Sequence, residues 1–446
     1  MKQFMKTLRT ITKYPAAIVS AVIILALIIS AIVVVIKIPY QEAIDTWRGG
    51  EEVWGRNPRT VPPAWTNWFR KDKLPETVEI LEDDDRVAID EDVTKGGTVI
   101  KTYTYTLDYN YNTFPQDVVL YFTSTFEVKQ PFVSITWLTP DGREIRVGNF
   151  GIGSSHTYPF SQDEDLKKKL GETPPIGLFV DPESEEQIPI QGEYQLQVEA
   201  ITFEPESTVQ IDLVMLGQVY GVAGTDHLRR DLTLPLLWGI PIALTFGLLA
   251  ALGTSVLTML IAAIGAWYGG VVDGIIQRIT EINLVLPFLS ILIMVGTFYS
   301  RSIWVILGVT IALSIFTGGI KTYRAIFLQV KESAYIEAAQ AYGAKNGRII
   351  NRYLIPRIIP LLIPGLISAV PSFVFLEASL ALLGIGDPVL PTWGKTINEA
   401  YANAALYRGW YYWILEPAIL LMITGLGFAM LGFALDRIFN PRLRGL

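Results

Sequence analysis

The chain has 446 residues, a formal net charge of −7, no cysteine and two histidines. Without Cys there is no disulfide, thiol nucleophile, iron–sulfur cluster or cysteine zinc site, and two His leave little for a metal centre or proton relay; no metal site is expected. Half of the residues are hydrophobic and only 18% are charged, against about 25% in an ordinary soluble domain, so the balance leans to a membrane protein.

The first predicted element is an uncharged run over 16–36, about the twenty residues that cross a hydrocarbon core. Lys2, Lys6, Arg9 and Lys13 precede it and place that end in the cytoplasm. No small-x-small cleavage pattern stands before Lys37, which favours a retained anchor over a removed leader.

Next comes an acidic block. Residues 39–232 hold 34 Asp/Glu against 17 Lys/Arg, a net of −17, while the remainder nets +10. The overall charge therefore describes neither part and carries no inference about partners. The block opens with a Trp/Pro-rich stretch, 47–68, without a clear period. The run Glu82-Asp83-Asp84-Asp85 lacks the spaced carboxylates of a calcium loop and reads as a solvated acidic surface. Alternating or β-branched runs follow at 98–109, 118–127, 132–138, 194–200 and 208–216, with a hairpin expected at Thr139-Pro140-Asp141-Gly142. They predict a sandwich-like domain over about 97–217. Residues 161–175, with Lys167, Lys168 and Lys169, read as a surface excursion. Ser154, Ser155 and His156 have no G-x-S-x-G context, so no enzyme is expected.

Five more apolar stretches lie at about 236–266, 284–299, 303–320, 361–383 and 413–433. Only Ser300–Ser302 separates the second from the third, which predicts a tight hairpin. Six crossings put both termini inside, with the basic loop 321–358, Arg437, Arg442 and Arg444 on the cytoplasmic side and the acidic block outside. The expected fold is a polytopic α-helical plasma-membrane protein with six transmembrane helices and a β-rich extracytoplasmic domain between helices 1 and 2. Its parts are 1–38, 39–217 and 218–446.

No nucleotide site is visible. Gly394-Lys395-Thr396 lacks the first Gly of a phosphate-binding loop, where Val389 stands. Energy must come from a partner or an ion gradient. Glu377 is the clearest ionisable residue within the spans, and this scarcity disfavours an ion-coupled machine. Glu377 either lines a path or pairs structurally with a backbone group.

The loop 321–358 contains Tyr335-Ile336-Glu337-Ala338-Ala339-Gln340-Ala341-Tyr342-Gly343 and ends near Ile355-Pro356. Glu-Ala-Ala starts a helix, Gly343 ends it with φ > 0, Asn346 begins another, and that one stops near Pro356. Ile349, Ile350, Tyr353 and Leu354 form an apolar stripe at helical spacing.

Glu337, Ala338, Ala339 and Gly343 resemble the EAA motif of ABC-importer permeases, with Ile355-Pro356 where that family usually has Leu-Pro. Gly224-Thr225-Asp226 with Arg230-Asp231 resembles the Gly-Thr-Asp…Gly-Arg-Asp motif of dipeptide/oligopeptide permeases of the C type, Arg229 replacing the usual Gly. Gly269–Asp273 with Arg278 and Leu286-Pro287, residues 377–386 with Pro391–Gly394, and Asn440–Arg444 resemble further segments of the same family. The resemblance implies a type I importer-like permease. It also implies two ABC ATPase subunits holding ATP and Mg, a second homologous permease, an extracytoplasmic substrate-binding protein and the lipid bilayer as partners, and no nucleic acid. Glu337, Ala338, Ala339, Gly343, Ile355 and Pro356 would couple to the ATPases. Peptides are the implied substrate, oligosaccharides or nickel the alternative within the family. A membrane receptor with an extracellular ligand domain is a remote alternative. The block 40–217 has no counterpart in shorter members; it either docks the binding protein or acts as a stabilising spacer.

Overall fold

The computed structural model describes residues 15–93, 98–184, 186–204 and 206–439. The basic residues before the first apolar run, Gly97 and the segment Asn440–Arg444 lie outside the described residues. Two compact units result: Met1–Arg48 with Leu234–Leu446, and Gly49–Thr233.

The first unit is helical. α1 (Pro15–Lys37) is followed by α2 (Tyr40–Trp47). After the second unit come α3 (Thr233–Tyr268), α4 (Gly270–Val285), α5 (Phe288–Phe298), α6 (Ile303–Ile315) and α7 (Gly318–Lys331). Then follow α8 (Ala334–Ala341), α9 (Asn346–Ile349), α10 (Ile355–Leu380), α11 (Trp393–Ala402) and α12 (Tyr412–Phe439). Four helical runs are long and apolar enough to cross a membrane: Pro15–Lys37, Thr233–Tyr268, Asn346–Ile385 and Tyr412–Ile438. The pairs α4/α5 and α6/α7 are bent by 79° and 48°, and the number reaches six if each pair is one span.

The bends correct the expected spans 284–299 and 303–320. α5 has 11 residues and α6 has 13. At 1.5 Å per residue each falls short of a hydrocarbon core about 30 Å thick. Pro287 causes the first break: it lacks an N–H and drives Leu286 to an extended ψ of 135°. At the second break Asn283 donates from Nδ2 to the freed carbonyls of Leu313 and Phe316, both at 2.8 Å. One amide thus satisfies backbone groups that lipid cannot.

A second correction concerns Pro356. It does not stop the helix; it sits in the first turn of α10, and helix continues to Leu380 through Pro360, Pro364 and Pro371. A π-turn over Ile350–Leu354 precedes it. The shifted hydrogen-bond register absorbs the missing proline donor where a regular helix would break.

The second unit is a β-sandwich. β1 (Val78–Ile80), β4 (Asp117–Thr125), β7 (Ser155–Pro159) and β9 (Thr208–Leu216) form one antiparallel sheet in the order β1-β9-β4-β7. β2 (Val87–Val93), β3 (Val99–Tyr109), β8 (Gly192–Thr202), β5 (Phe132–Leu138) and β6 (Glu144–Gly151) form the other in the order β2-β3-β8-β5-β6. The fold therefore starts before residue 97, because β1 and β2 add an edge to each sheet. Alternation supplies the core: Tyr103, Tyr105, Leu107, Trp137, Tyr194, Leu196, Ile211 and Leu213 all face inward. Tyr103 and Tyr105 on β3 donate to the carbonyls of Val209 and Ile211 on β9 at 2.7 and 2.6 Å, tying the sheets together through the core. The hairpin at Thr139–Gly142 forms as expected, with Gly142 at φ +85°.

Residues 161–175 are mostly exposed, as a surface excursion would be, but Leu166, Pro174 and Pro175 turn inward. Phe160, Leu166, Leu178 and Phe179 are buried and close the open side of the core over Trp137. The short helix Glu164–Leu170 turns its three lysines to solvent while Leu166 points in. Asp117 accepts from Ser161 and the Val118 N–H beneath this cover; burial nonetheless raises its pKa. In the acidic run, hydrogen bonds from the Arg86 side chain and backbone hold Asp84 down at about 2.

Candidate functional site

The Glu-Ala-Ala loop is built by local rules. α8 ends in a complete Schellman motif. Gly343 adopts φ +75°, its N–H bonds to Gln340 O at 2.8 Å, and Ala344 N–H bonds to Ala339 O at 3.0 Å. α9 then begins after Lys345. Ile336 and Ala339 on α8 face inward, and Ile349, Ile350 and Leu354 meet Ile336 there. Ile320 and Phe327 of α7, Met259, Ala262 and Trp267 of α3, and Ile358 of α10 complete the same apolar cluster. The apolar stripe is therefore the inner brace of the loop and not its contact face.

Glu337, Ala338 and Gly343 point outward. Ala339 is buried, and Ile355 and Pro356 belong to the first turn of α10. Tyr342, which sequence reasoning passed over, is 92% exposed at the tip. Its signal was legible: an aromatic residue set between Ala341 and a helix-ending glycine has no packing partner nearby in sequence. The outer face thus offers one carboxylate, small residues and the aromatic rings of Tyr335 and Tyr342.

Two polar ties couple this loop to the long helices. Arg324 of α7 grips Asp273 of α4 through two bonds of 2.7 and 2.5 Å. Lys331, at the end of α7, donates to the last carbonyls of α3, Ala266 O at 3.1 Å and Trp267 O at 2.9 Å. A cation there complements the negative end of the helix dipole. α8 thus shares one apolar cluster with α3, α7 and α10, and the two ties join α7 to α4 and α3.

The motif Gly224–Asp231 folds with the β-rich unit and is a self-braced turn. Thr225 and Val61 pair through backbone and hydroxyl at 2.9 and 3.2 Å, and the Thr225 hydroxyl donates to Pro58 O at 2.8 Å. Asp226 is fully buried; it accepts from the N–H groups of Leu228 and Arg230 and pairs with the Arg230 guanidinium at 2.6 Å. Asp231 caps Thr233 N–H at 2.7 Å, where α3 begins.

Glu377 of α10 is buried and lines a cavity of about 10 Å³ with Phe246, Arg301, Ile306 and Asp387. A larger groove of about 420 Å³ opens at the helix breaks. Asn283, Ser314, Thr317 and Ser372 supply its polar lining among Leu284, Phe288, Phe373 and Leu376. Among the described residues no group of three His, Asp or Glu could hold a metal.

The model of the binding-protein-dependent transport system inner membrane component matches residues 255–445, which hold the loop, both helix breaks and Glu377. The chain is similar to the dipeptide transport system permease protein DppC of Bacillus subtilis (strain 168), 29% identical over half of this chain and 68% of that one. It is similar to DppC of Lactococcus lactis subsp. cremoris (strain MG1363), 30% identical over half of this chain and 64% of the relative. It is also similar to the oligopeptide transport system permease protein OppC of Bacillus subtilis (strain 168), 30% identical over half of this chain and 72% of the relative. The chain thus spans about two thirds of the length of these relatives. Outward Glu337, the closed turn at Gly343 and the two polar ties stand within the matched region, and the chain belongs to the dipeptide/oligopeptide permeases among the binding-protein-dependent transport system inner membrane components.

Proposed function

We infer that this chain is a permease subunit of an ATP-binding-cassette importer and forms half of a translocation path for peptides. A second homologous permease supplies the other half. An extracytoplasmic binding protein delivers the substrate, and two ATPase subunits, which hold the ATP and Mg, supply the energy. The names of the similar relatives favour peptides over oligosaccharides or nickel. In this reading each bent helix pair is one span, the six spans leave both termini in the cytoplasm, and the β-rich unit is an extracytoplasmic insert between the first two. The polar groove at the helix breaks faces the path, since polar side chains within spans turn to a water-filled interior. Glu377 borders the path at the outer end when the helices part.

The observation that carries this reading is the braced, outward α8. Its exposed Glu337, Ala338, Tyr342 and Gly343 fit a groove on an ATPase subunit, while the buried cluster and the Asp273–Arg324 and Lys331 ties pass the movement on. A rigid lever is what a two-state, partner-driven element requires.

Reconstitution with the partner subunits tests it. Glu337→Lys reverses the charge at an exposed position and leaves the inner brace intact. Peptide uptake and binding-protein-stimulated ATP hydrolysis are expected to fall at least about tenfold, the equivalent of roughly 1.4 kcal/mol of coupling, with the chain still membrane-inserted. Unchanged uptake by this variant and by Tyr342→Ala would sink the coupling role.

A further inference from the structure

One feature of the β-rich unit is left unused by transport. The 3₁₀ turn Ala64–Phe69 presents Trp68 at 82%, Phe69 at 80% and Trp65 at 39% exposure. No other five-residue stretch of the unit's described residues exposes three large apolar side chains. Trp65 and Phe69 stack edge to face with ring centres 6.3 Å apart. Arg70, Lys71 and Lys73 follow, all exposed and without an ion pair among the described residues, with Asp72 between them accepting from Asn112 Nδ2 at 3.0 Å. They form a basic spot in a block whose net charge is −17.

The loop is held out by its own chain. Buried Asn67 accepts from Leu74 N–H at 3.0 Å and donates to Leu74 O at 2.9 Å, closing residues 68–73 into a tight protrusion. Ala64 N–H bonds to Gly221 O at 3.0 Å, and Trp65 Nε1 donates to Val222 O at 2.9 Å; Val222 itself is 71% exposed. The protrusion therefore stands beside the segments by which the chain enters and leaves the unit, 55–61 and 224–231, which are tied to each other. Val222 lies eleven residues before Thr233, where the membrane-crossing helix α3 starts. An extended chain of that length reaches no more than about 40 Å.

We propose that residues 65–73 are a membrane-surface anchor: Trp65, Trp68 and Phe69 enter the interfacial zone of the bilayer while Arg70, Lys71 and Lys73 bind anionic phospholipid headgroups. Indole and phenyl rings gather at the headgroup level, and basic clusters draw anionic lipid to it. The anchor holds this end of the sandwich at the bilayer surface. The inference rests on α1, α3, α10 and α12 as spans and not on which side the unit faces.

The chain has no cysteine, so single-cysteine labels report one position each. Full-length Phe69→Cys and Val128→Cys carry nitroxides in nanodiscs of phosphatidylcholine, alone or in equal parts with phosphatidylglycerol. Val128, 82% exposed, follows the far end of β4, whose near end joins the base through Gln116 and Arg59. Nanodiscs expose both faces, so a wrong topology does not alter this result. At position 69 collisions with oxygen are expected to exceed those with a water-soluble nickel complex, the reverse of position 128. The excess grows in the anionic discs, and Arg70→Gln/Lys71→Gln/Lys73→Gln roughly halves that growth. A label at position 68 gives the same reading. Equal water access at 69 and 128 in both lipids overturns the proposal. So does shielding at 69 that appears only on adding the second permease or a binding protein, which assigns the patch to a protein partner.

Discussion

The two units handle apolar side chains in opposite ways. In the sandwich, aromatic and branched residues are packed inside, and Trp137, Tyr103, Tyr105 and Tyr194 are almost wholly hidden. In the helical unit the outer faces are apolar. Only 17% of the apolar window of α1 is buried within the chain, and 44% of that of α12. Contacts inside that unit use small residues instead. A Cβ on Gly239 would fall 2.2 Å from the Trp393 ring, and one on Gly394 would fall 2.6 Å from Ala378 Cα. Water drives the first assembly, whereas close backbone approach and helix contacts hold the second within lipid. An exposed large apolar side chain therefore means little on α1 and a great deal on the sandwich.

The largest expected effect breaks that comparison at the sandwich core. Trp137 packs against Phe160, Phe179 and Tyr194. Trp137→Ala should cost about 3–5 kcal/mol. Hydrogen exchange on the full chain should rise across 49–233 and stay unchanged in α3–α12. Ile36→Ala, at a position of α1 that is 72% exposed, should leave both units protected. Rising exchange in the helices with Trp137→Ala would show that the units do not fold as separate bodies.

A slightly smaller effect is expected at Asp226. Asn at this position keeps the acceptor for the Leu228 and Arg230 N–H groups but removes the carboxylate charge that the buried Arg230 guanidinium grips. Breaking one side of a buried pair costs about 3 kcal/mol at the low end. Protection should be lost first around 55–61 and 224–232, because those segments hold each other. Loss confined to the strands instead would mean that the turn is not what joins the sandwich to the start of α3.

Much of this was legible before the structure. Alternation located β3, β4, β5, β8 and β9, since a half-buried strand must write its core face at every second residue. The glycine that ends α8 was equally plain, because φ > 0 asks for it. Other features were not. Phe160, Leu166 and Phe179 cap the core from short helical turns and loop, too brief for a period to mark an inward residue. The break in α6/α7 sits inside an unbroken apolar stretch and that in α4/α5 falls at Pro287 near the start of one, and hydropathy does not register direction. Pro356 read as a stop because its missing donor was counted and the π-turn that accommodates it was not. The Asp273–Arg324 grip joins residues 51 positions apart, and only Asp273 stood in a recognisable motif.

Arg229 carries the finest version of the comparison. It holds φ +65°, a left-handed conformation that a glycine adopts freely and a branched chain does not. The turn keeps the shape that a glycine would have given it. In exchange the guanidinium donates to the carbonyls of Gly55 and Asn57 at 3.1 and 3.0 Å, and Asn57 Nδ2 returns a bond to Arg229 O at 3.1 Å. Left-handed backbone costs about 1–2 kcal/mol, and hydrogen bonds from a charged donor recover about as much. Arg229→Gly removes both and should leave stability within about 1 kcal/mol of the parent. Arg229→Ala keeps the backbone cost and loses the bonds, so it should be the weaker variant by about 1–2 kcal/mol. Thermal unfolding of the two variants ranks them. If Ala and Gly prove equal, the left-handed backbone is not under strain at this position, and the arginine is present only for the chain it clasps.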